Sequence, residues 1–304
     1  MDRTSDAEAA GLKLPSDLLD SVAGDPTPER RAWLARLPMV LRELAERWSL
    51  RLGEPFQPGG RSAWVAPVVD AAGRDLVLKV GWWHDEAAHE ADGLRAWSGH
   101  GAVRVHDADV SGQTSALLLE RCRPGTALAV MEPEPAQDDV IAELLRRLWI
   151  TPPAGHPFRP LQEMCNAWAS EFSQRLAASP GSCDPGMART AVELLHTLPA
   201  NADRAVLLCT DLHAGNVLAA EREPWLMIDP KPYVGDPAYD PVQHLLNCDE
   251  RLAEDPVRLA SRMADLLDVD RDRVIRWLLA RCVQESLDQP WLRDVATTLA
   301  TTAT

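Results

Sequence analysis

The stretch LLCTDLHAGNVLAAEREPWLMIDP, residues 207–230, has the most informative pattern of polar and apolar residues in this chain. It places three polar residues, Asp211, Asn216 and Asp229, around two short apolar runs. Polar side chains this close to apolar strands are costly unless they meet a charged partner, so the identity of that partner bears on function. The runs NVLAA and PWLMID, separated by the polar residues EREP, predict a β-hairpin with a four-residue loop at 221–224.

This hairpin would bring an amide and a carboxylate together. A loop at 221–224 places Asn216 opposite Asp229, and directly opposed residues have Cβ atoms roughly 5 Å apart. Two oxygen ligands at the open end of a hairpin can share a hard cation such as Mg²⁺, which also binds waters and substrate phosphates. Asp211, in the loop before the first strand, can lie near the metal without binding it. Alternatively, Asp211 and Asn216 are turn-forming residues that bond to nearby backbone groups.

A lysine lies inside a predicted strand of the first half of the chain. The apolar run DLVLKV, residues 75–80, contains Lys79, and a lysine in a buried strand is rarely tolerated without a partner. Glu86 and Glu90 follow in a helix predicted over 83–97, one turn apart on the same face, and either can pair with Lys79. A lysine held in this way can present its ammonium group to phosphate oxygens. The alternative is an edge residue that points to solvent.

A glycine-containing turn precedes this strand. The segment PGGRS, residues 58–62, offers backbone N–H groups that can surround phosphates, although such a turn is also common without any ligand. The helix over 83–97 also carries His84, Asp85, Glu86 and His89, which raises the alternative of a zinc hydrolase. It has no HExxH motif, and a solvated helix face explains these residues better.

The order of segments predicts two lobes. The chain has 304 residues and 46% apolar residues, enough for two ordinary domains. Strands and one helix precede a Pro-Gly break near residue 124, and helical periodicity dominates after it. We therefore expect an N-terminal lobe at 1–121, with 1–30 as a loosely attached lead-in, and a C-terminal lobe at 122–304. The longer predicted helices cover residues 29–50, 138–150, 160–179, 186–198, 240–252, 255–269 and 271–286.

Charge and cysteine content exclude several classes of partner. The formal net charge of −15 disfavours nucleic acid and anionic membranes and is compatible with a cationic small-molecule substrate. The six cysteines are scattered without a CxxC pair, which argues against a disulfide scaffold or a zinc site. The first residues lack a secretory pattern, and no run approaches the length of a transmembrane helix. We expect a reduced, cytoplasmic protein, either monomer or dimer.

The combination of these parts resembles the aminoglycoside phosphotransferase family, which is protein-kinase-like. The segment LLCTDLHAGNVL matches that family's HGDLHPGN loop at Asp211, Leu212, His213, Gly215 and Asn216. The segments LMIDPKPYVGDPAYD, HEADGLRAW and LLLERCRPGTAL are similar to its streptomycin 6-kinase/hydroxyurea phosphotransferase branch. The resemblance covers roughly residues 55–290. It implies an α+β, bilobal protein-kinase-like fold, with a small antiparallel-sheet N-terminal lobe containing one main helix and a larger, mainly helical C-terminal lobe.

The resemblance also implies a role for each matching residue. Asp211 would accept or orient the proton of the substrate hydroxyl, and Asn216 and Asp229 would hold Mg²⁺. Lys79 would contact the α- and β-phosphates of ATP and would be fixed by Glu90 rather than by the earlier glutamate. These parts act by positioning and charge neutralisation rather than by covalent chemistry.

Further residues would border the nucleotide. The backbone from Glu120 to Cys122 would be the hinge that hydrogen-bonds adenine. The residues that would border the phosphates are Gly59, Gly60 and Ser62. The chain departs from the family at Cys209 and Thr210, where His-Gly is usual. Pro-Lys follows Asp229, where protein kinases have Phe-Gly, which puts a protein-kinase-type switch in doubt.

These implications predict an ATP- and Mg²⁺-dependent kinase that O-phosphorylates an antibiotic-like acceptor, such as streptomycin or hydroxyurea, and so confers resistance. Candidates for an acidic acceptor cleft are Asp236, Asp240 and Glu285, although GDPAYD is also typical of a structural loop and helix cap. Two alternatives stay open: a kinase for an ordinary metabolite such as an amino sugar, and a pseudokinase that binds nucleotide without turnover.

Overall fold

The computed structural model describes residues 12–302, apart from the side chain of Glu86. Within them the chain forms two compact units. The first unit runs to Arg95 and adds Val103–Cys122, and the second comprises Ala96–Ala102 and resumes at Arg123. None of the helices in the described part of the chain combines the length and hydropathy needed to cross a bilayer. The assignment of nucleotide binding to 1–121 and catalysis to 122–304 stays a prediction.

The first unit is built on an antiparallel sheet with the order β1-β2-β3-β5-β4. Its strands are β1 (Arg51–Leu52), β2 (Ala63–Val69), β3 (Asp75–Trp82), β4 (Val105–Ser111) and β5 (Thr114–Glu120). In the central strand β3, Leu76, Leu78 and Val80 are buried in one core cluster. Because side chains alternate along a strand, Lys79 lies on the opposite face of the sheet.

Two helices precede the sheet, and they correct the expected lead-in. They are α1 (Ser16–Ala23) and α2 (Pro28–Arg47). Leu18 and Val22 of α1 are 0% and 2% exposed and belong to the same core cluster as Trp33 and Leu37 of α2. The prediction of a loose lead-in is therefore wrong for α1, because its apolar residues one turn apart bury a shared face. Residues 1–11 of the predicted lead-in lie outside the described part.

The helix predicted over residues 83–97 begins later in the structure than the sequence predicts. Helix α3 spans Glu90–Trp97, and a 3₁₀ turn at Asp85–Ala87 comes before it. Trp83 donates its backbone N–H to the Gln113 carbonyl at 2.9 Å, so the chain is still paired with the sheet where the helix was expected to begin. The delay makes Glu90 the first residue of the helix.

The second unit is mainly helical, as predicted. Its helices are α4 (Leu128–Met131), α5 (Glu134–Leu148), α6 (Leu161–Ala178), α7 (Pro185–Thr197), α8 (Val242–Leu245), α9 (Asp249–Glu254), α10 (Pro256–Leu267), α11 (Arg271–Glu285) and α12 (Leu292–Ala300). Helix α11 is buried on most sides and packs against α7, α10 and α12. The helix predicted over 240–252 is two helices, because Cys248 has non-helical dihedral angles (φ −104°, ψ 57°).

Two small sheets carry the loops of the second unit. Strands β6 (Arg159–Pro160), β7 (Val206–Leu208) and β10 (Tyr233–Gly235) form one sheet, in which β10 is central. Strands β8 (Val217–Ala219) and β9 (Trp225–Met227) form the second, a hairpin. The loops after β7 and β9 contain the polar residues singled out by the sequence.

The short segment Ala96–Ala102 is built into the second unit. Its Gly101 carbonyl accepts the Met227 N–H at 2.9 Å, and Trp97 donates its indole N–H to the Leu148 carbonyl at 2.8 Å. Arg222 donates to the carbonyls of Gly99 and Ala102 at 2.5 and 3.0 Å. The hairpin therefore depends on a piece of chain more than a hundred residues earlier in the sequence.

A buried ion network ties four helices of the second unit together. Asp138 of α5 is fully buried, and its carboxylate lies 2.9 Å from His244 Nε2 of α8. It also accepts hydrogen bonds from Arg251 at 2.6 Å and Arg262 at 2.8 Å, on α9 and α10. Burial alone would raise the pKa of Asp138, but the hydrogen bonds from the histidine and the two arginines outweigh burial and hold this pKa well below its usual range.

We expect the substitution Asp138→Ala to lower the free energy of unfolding by about 3–5 kcal/mol, because it leaves the arginines and histidine without their shared anion. Urea unfolding monitored by circular dichroism measures the loss. The neighbouring Asp139 is the matched control: its side chain is 60% exposed and also pairs with Arg262, so Asp139→Ala should cost less than about 1 kcal/mol. Equal losses in the two variants would contradict a structural role for the buried network.

Candidate active site

The loop after β7 is held by hydrogen bonds to one buried carboxylate, that of Asp240. Asp240 is fully buried, and its Oδ1 accepts the Thr210 N–H at 2.7 Å. Its Oδ2 accepts the Cys209 N–H at 3.1 Å and the indole N–H of Trp149 at 3.0 Å. Burial raises the pKa of Asp240 to about 6 even though all three hydrogen bonds favour the charged form. The backbone just before Asp211 is thereby fixed.

The same loop is tied to the segment after β9. Lys231 donates its backbone N–H to the Cys209 carbonyl at 2.9 Å, and its carbonyl accepts the Thr210 hydroxyl at 2.5 Å. Thr210 has a φ of 51° and Asp229 a φ of 53°, in the left-handed region that a β-branched residue such as threonine rarely adopts. Strain of this kind persists only where surrounding bonds hold it. Here the strained residues are Thr210, which precedes Asp211, and Asp229 itself.

Asp211 carries two contacts that define its position. Lys231 Nζ lies 3.2 Å from Asp211 Oδ2, and the side chains of this pair are 33% and 18% exposed. Asn216 donates its side-chain N–H to the Asp211 carbonyl at 3.0 Å. The structure therefore brings Asp211, Asn216 and Lys231 together.

The intervening turn explains the order of residues in HAGN. Residues Ala214–Asn216 form a 3₁₀ turn, in which the Gly215 N–H donates to His213 Nδ1 at 3.2 Å. A Cβ at position 215 would lie 2.8 Å from His213 Cε1, so only glycine fits there without a shift of the ring. Burial lowers the pKa of His213, which favours the neutral ring that can accept this bond.

The register of the hairpin differs by one residue from the predicted register. The observed pairs are Val217 with Met227 and Ala219 with Trp225, which places Asn216 opposite Ile228 rather than Asp229. The loop therefore spans residues 220–224, and within it the Ala220 N–H bonds to the Pro224 carbonyl at 3.3 Å. Asp229 lies two residues beyond Met227, the last residue of the ladder, and its backbone is in the left-handed region.

The first unit contains the predicted lysine–glutamate ion pair. Lys79 donates to both carboxylate oxygens of Glu90, at 2.8 and 2.7 Å. The two side chains are 15% and 5% exposed, so the pair is largely removed from water. A buried lysine fixed in this way is a preorganised cation for a phosphate group. Its contact with a nucleotide stays a prediction.

The glycine turn of the first unit packs against the segment before α1. Gly59 has a φ of 84°, and a Cβ there would lie 2.4 Å from Pro15 Cβ. The Pro58 carbonyl accepts the Asp17 N–H at 3.2 Å. Gly60 is exposed, and the Ser62 carbonyl bonds to the Trp82 N–H at 3.1 Å. Sequence reasoning missed this packing, and the role of the turn toward phosphates stays a prediction.

The predicted hinge follows β5. Glu120 pairs with Leu76 of β3, and its carboxylate accepts the Arg104 N–H at 3.0 Å. Arg121 forms an ion pair with Asp75 at 2.6 Å. Cys122 is nearly buried, and the adenine contact predicted for this backbone stays a prediction.

Two of the three acids predicted for an acceptor cleft are buried and form hydrogen bonds within the second unit. Asp236 is 3% exposed, and its Oδ2 accepts bonds from Arg273 and Trp277, both at 2.6 Å. Asp240 holds the loop before Asp211, as described above. Their carboxylate oxygens are buried and already bonded within the second unit, and contact of these two residues with an acceptor stays a prediction. Glu285 is paired with an arginine one turn earlier in α11 and stays a prediction.

The fold is that of a protein-kinase-like phosphotransferase. The thermostable mutant of the aminoglycoside phosphotransferase APH(4)-Ia has a similar fold, with a TM-score of 0.55 and 16% identity over 86% of this chain and 98% of its own. Choline kinase LicA from Streptococcus pneumoniae gives a TM-score of 0.56 and 13% identity over 87% of this chain and 97% of its own. The predicted α+β, protein-kinase-like fold is confirmed.

Sequence comparison then defines the family. Residues 47–295 match the aminoglycoside/hydroxyurea antibiotic resistance kinase family, and this chain belongs to it. It is 36% identical to a streptomycin 6-kinase of Streptomyces glaucescens over 91% of this chain and 90% of the relative. It is 37% identical to a hydroxyurea phosphotransferase of Kitasatospora aureofaciens over 91% of this chain and 80% of the relative. The predicted enzyme class, a small-molecule kinase with a hydroxyl acceptor, is confirmed, and a kinase uses a nucleotide as phosphoryl donor.

Proposed function

We propose that this chain is an ATP- and Mg²⁺-dependent kinase that transfers the γ-phosphoryl group to a hydroxyl of streptomycin, a related aminoglycoside or hydroxyurea, and so inactivates the drug. The observation that carries the proposal is the position of Asp211. Its carboxylate is held by Lys231 and its carbonyl by Asn216, on a loop that a buried acid anchors. The relatives named for these two activities support the choice of acceptor.

Asp211 is the residue that accepts or orients the proton of the acceptor hydroxyl. Phosphoryl transfer has little covalent chemistry for the protein to perform, so a correctly placed base and fixed charges supply most of the rate. The bonds from Asp240 to the backbone of residues 209 and 210 supply that placement.

Asn216 and Asp229 are the residues that would hold Mg²⁺, and their chemistry fits the ion. Asn216 commits its amide nitrogen to the Asp211 carbonyl, which leaves the amide oxygen as the ligand atom. Amide and carboxylate oxygens are the ligands that Mg²⁺ prefers, with waters and phosphates in the remaining positions. When bound, the ion neutralises charge on the phosphates.

Lys79, fixed by Glu90, is the cation for the α- and β-phosphates of ATP. The residues that would border the nucleotide are Gly59, Gly60, Ser62, Glu120 and Cys122. The six cysteines are free thiols, which suits the reducing cytoplasm, where we also place the reaction.

The test is an ADP-release assay with Mg²⁺-ATP across streptomycin, other aminoglycosides, hydroxyurea and amino sugars. We expect one antibiotic-like acceptor to give saturable turnover that EDTA abolishes, and mass spectrometry should find one added phosphoryl group on it. Parallel reactions with GTP test the choice of donor. Turnover on amino sugars alone would favour a metabolic kinase, and nucleotide binding without any phosphorylated product would favour a pseudokinase.

A further inference from the structure

Lysine is rare in this chain, and its placement is selective. Of 31 basic residues other than histidine, three are lysines: Lys13, Lys79 and Lys231. Lys13 forms an exposed pair with Glu54, in which both side chains are about 70% exposed. The other two bind carboxylates of the candidate site, Glu90 and Asp211. The remaining basic residues counted here are arginines. The candidate site positions 79 and 231 therefore differ from most of them in having a compact ammonium group rather than a planar guanidinium.

The backbone of Lys231 is held on both sides. Prolines at 230 and 232 restrict the chain around it. Its N–H and carbonyl are both bonded to the loop before Asp211, at 2.9 and 2.5 Å. These bonds fix the start of the side chain against the same loop that carries its carboxylate partner. The contact between Lys231 and Asp211 is therefore a feature of two interlocked segments rather than a chance meeting of surface charges.

The contact with Lys231 makes the two carboxylate oxygens of Asp211 different, because only Oδ2 is paired. Lys231 Nζ lies 3.2 Å from Asp211 Oδ2. Within residues 12–302, Asp211 Oδ1 has no side-chain or backbone hydrogen-bond donor, so it is the oxygen left for a substrate group. A carboxylate pinned through one oxygen cannot rotate freely, and its second oxygen is then oriented before the substrate arrives.

We propose that Lys231 is a positioning residue for phosphoryl transfer, which fixes Asp211 through Oδ2 so that Oδ1 receives the acceptor proton; this inference rests on the proposed function. In that step the acceptor O–H bond breaks and its proton passes to Asp211 Oδ1. The acceptor oxygen forms a bond to the γ-phosphorus, whose bond to the bridging oxygen breaks, and the electron pair leaves with ADP.

The charge of Lys231 also matters as the step proceeds. Before proton transfer the ammonium and the carboxylate compensate each other. Once Asp211 has accepted the proton, the ammonium keeps its charge while its partner has become neutral. A compact ammonium with three donors can then balance negative charge that develops nearby.

The test compares all three lysines by substitution to methionine. We expect Lys231→Met to lower kcat by about 10²-fold, with the acceptor KM and the affinity for Mg²⁺-ADP changed less than about threefold. Lys231→Arg should recover part of the loss because it restores the charge. Lys13→Met is the matched control and should leave kcat unchanged. Thermal melting and calorimetry with Mg²⁺-ADP check that each variant is folded and binds nucleotide.

A double variant separates positioning from an independent effect. If Lys231 acts through Asp211, adding Lys231→Met to Asp211→Asn should cause no further loss of kcat. Losses that multiply in the double variant would overturn the inference, as would normal kcat in Lys231→Met or a loss explained by a lower melting temperature and weaker nucleotide binding. If the wild-type chain phosphorylates no acceptor, the proposed function falls and this role falls with it, whereas an active wild type with an active Lys231→Met variant overturns this role alone.

Discussion

The variant Asp211→Asn should turn over its acceptor about 10³-fold more slowly than the wild-type chain, within the range for loss of a general base. The amide has the size of the carboxylate but cannot take up a proton, and it has no charge to pair with the Lys231 ammonium. Initial rates at saturating acceptor and Mg²⁺-ATP measure the effect on kcat. Calorimetric titration with Mg²⁺-ADP should give an affinity close to that of the wild-type chain, because Asp211 is not among the residues proposed to bind nucleotide.

The control for Asp211→Asn is the substitution Asp203→Asn. Asp203 is an exposed acid in the segment that leads into β7, the strand before Asp211. This substitution makes the same chemical change on the same stretch of chain and should leave kcat unchanged. Near-normal turnover by Asp211→Asn would remove this residue as the base. Equal losses in both variants would mean that the segment responds to any change of charge.

The second large effect is expected at Asp240. Asp240→Asn replaces an acceptor of three N–H groups with an amide whose NH₂ must face at least one of them. We expect a loss of about 1–3 kcal/mol in the free energy of unfolding, the cost of leaving a buried donor unsatisfied. The loop before Asp211 should also shift, and a misplacement of about 1 Å can cost about 10²-fold in kcat. Urea unfolding and steady-state kinetics on one preparation measure both effects.

Asp240 also predicts opposite pH dependences for activity and stability. Its pKa in the folded chain is about 6, above the ordinary aspartate value, because of burial. As the pH falls through 6 the folded protein protonates Asp240, one N–H loses its acceptor, and kcat should fall. The sign for stability is reversed: a raised folded pKa contributes stability that is complete below the unfolded pKa, near 4, and is lost as the pH rises through 6.

The pH prediction is measured on the wild-type chain and on Asp240→Asn. Only the wild type should show the decrease of kcat that begins near pH 6 and belongs to this residue. Unfolding experiments between pH 4 and pH 7 should show the difference in stability between the two proteins changing as the pH rises from about 4 to about 6. An acid limb of the same size and position in the variant would assign the decrease to another group.

Local patterns were enough to predict the parts of the site that lie close together in sequence. Asp211 and Asn216 are separated by one turn and meet through a hydrogen bond. Lys79 and Glu90 lie on a strand and the helix that follows it, and their pairing follows from the cost of burying a lysine alone. The same spacing rules located most helices of the second unit.

Long-range contacts and single hydrogen bonds explain what the sequence could not predict. The residues that Asp240 holds lie about thirty positions earlier, and Asp236 bonds to a residue on α11, so GDPAYD alone does not tell a buried anchor from a cleft wall. The hairpin loop is one residue longer than predicted, which shifts the register by one residue, and the apolar pattern alone does not fix that length. The contact of Lys231 with Asp211 does not follow from local spacing, because the backbone and carboxylate partners of this lysine lie about twenty positions before it.

The placement of Ala96–Ala102 in the second unit limits where the chain can be divided into fragments or joined to a relative in a hybrid enzyme. A fragment that starts at Arg123 lacks the Gly101 carbonyl that pairs with the hairpin and the indole that caps the end of α5. Hybrid enzymes that exchange the whole second unit with that of a streptomycin 6-kinase or hydroxyurea phosphotransferase therefore need three junctions, one on each side of this segment and one after Cys122. A single junction at the apparent boundary would join a second unit from one parent to a seven-residue insert from the other.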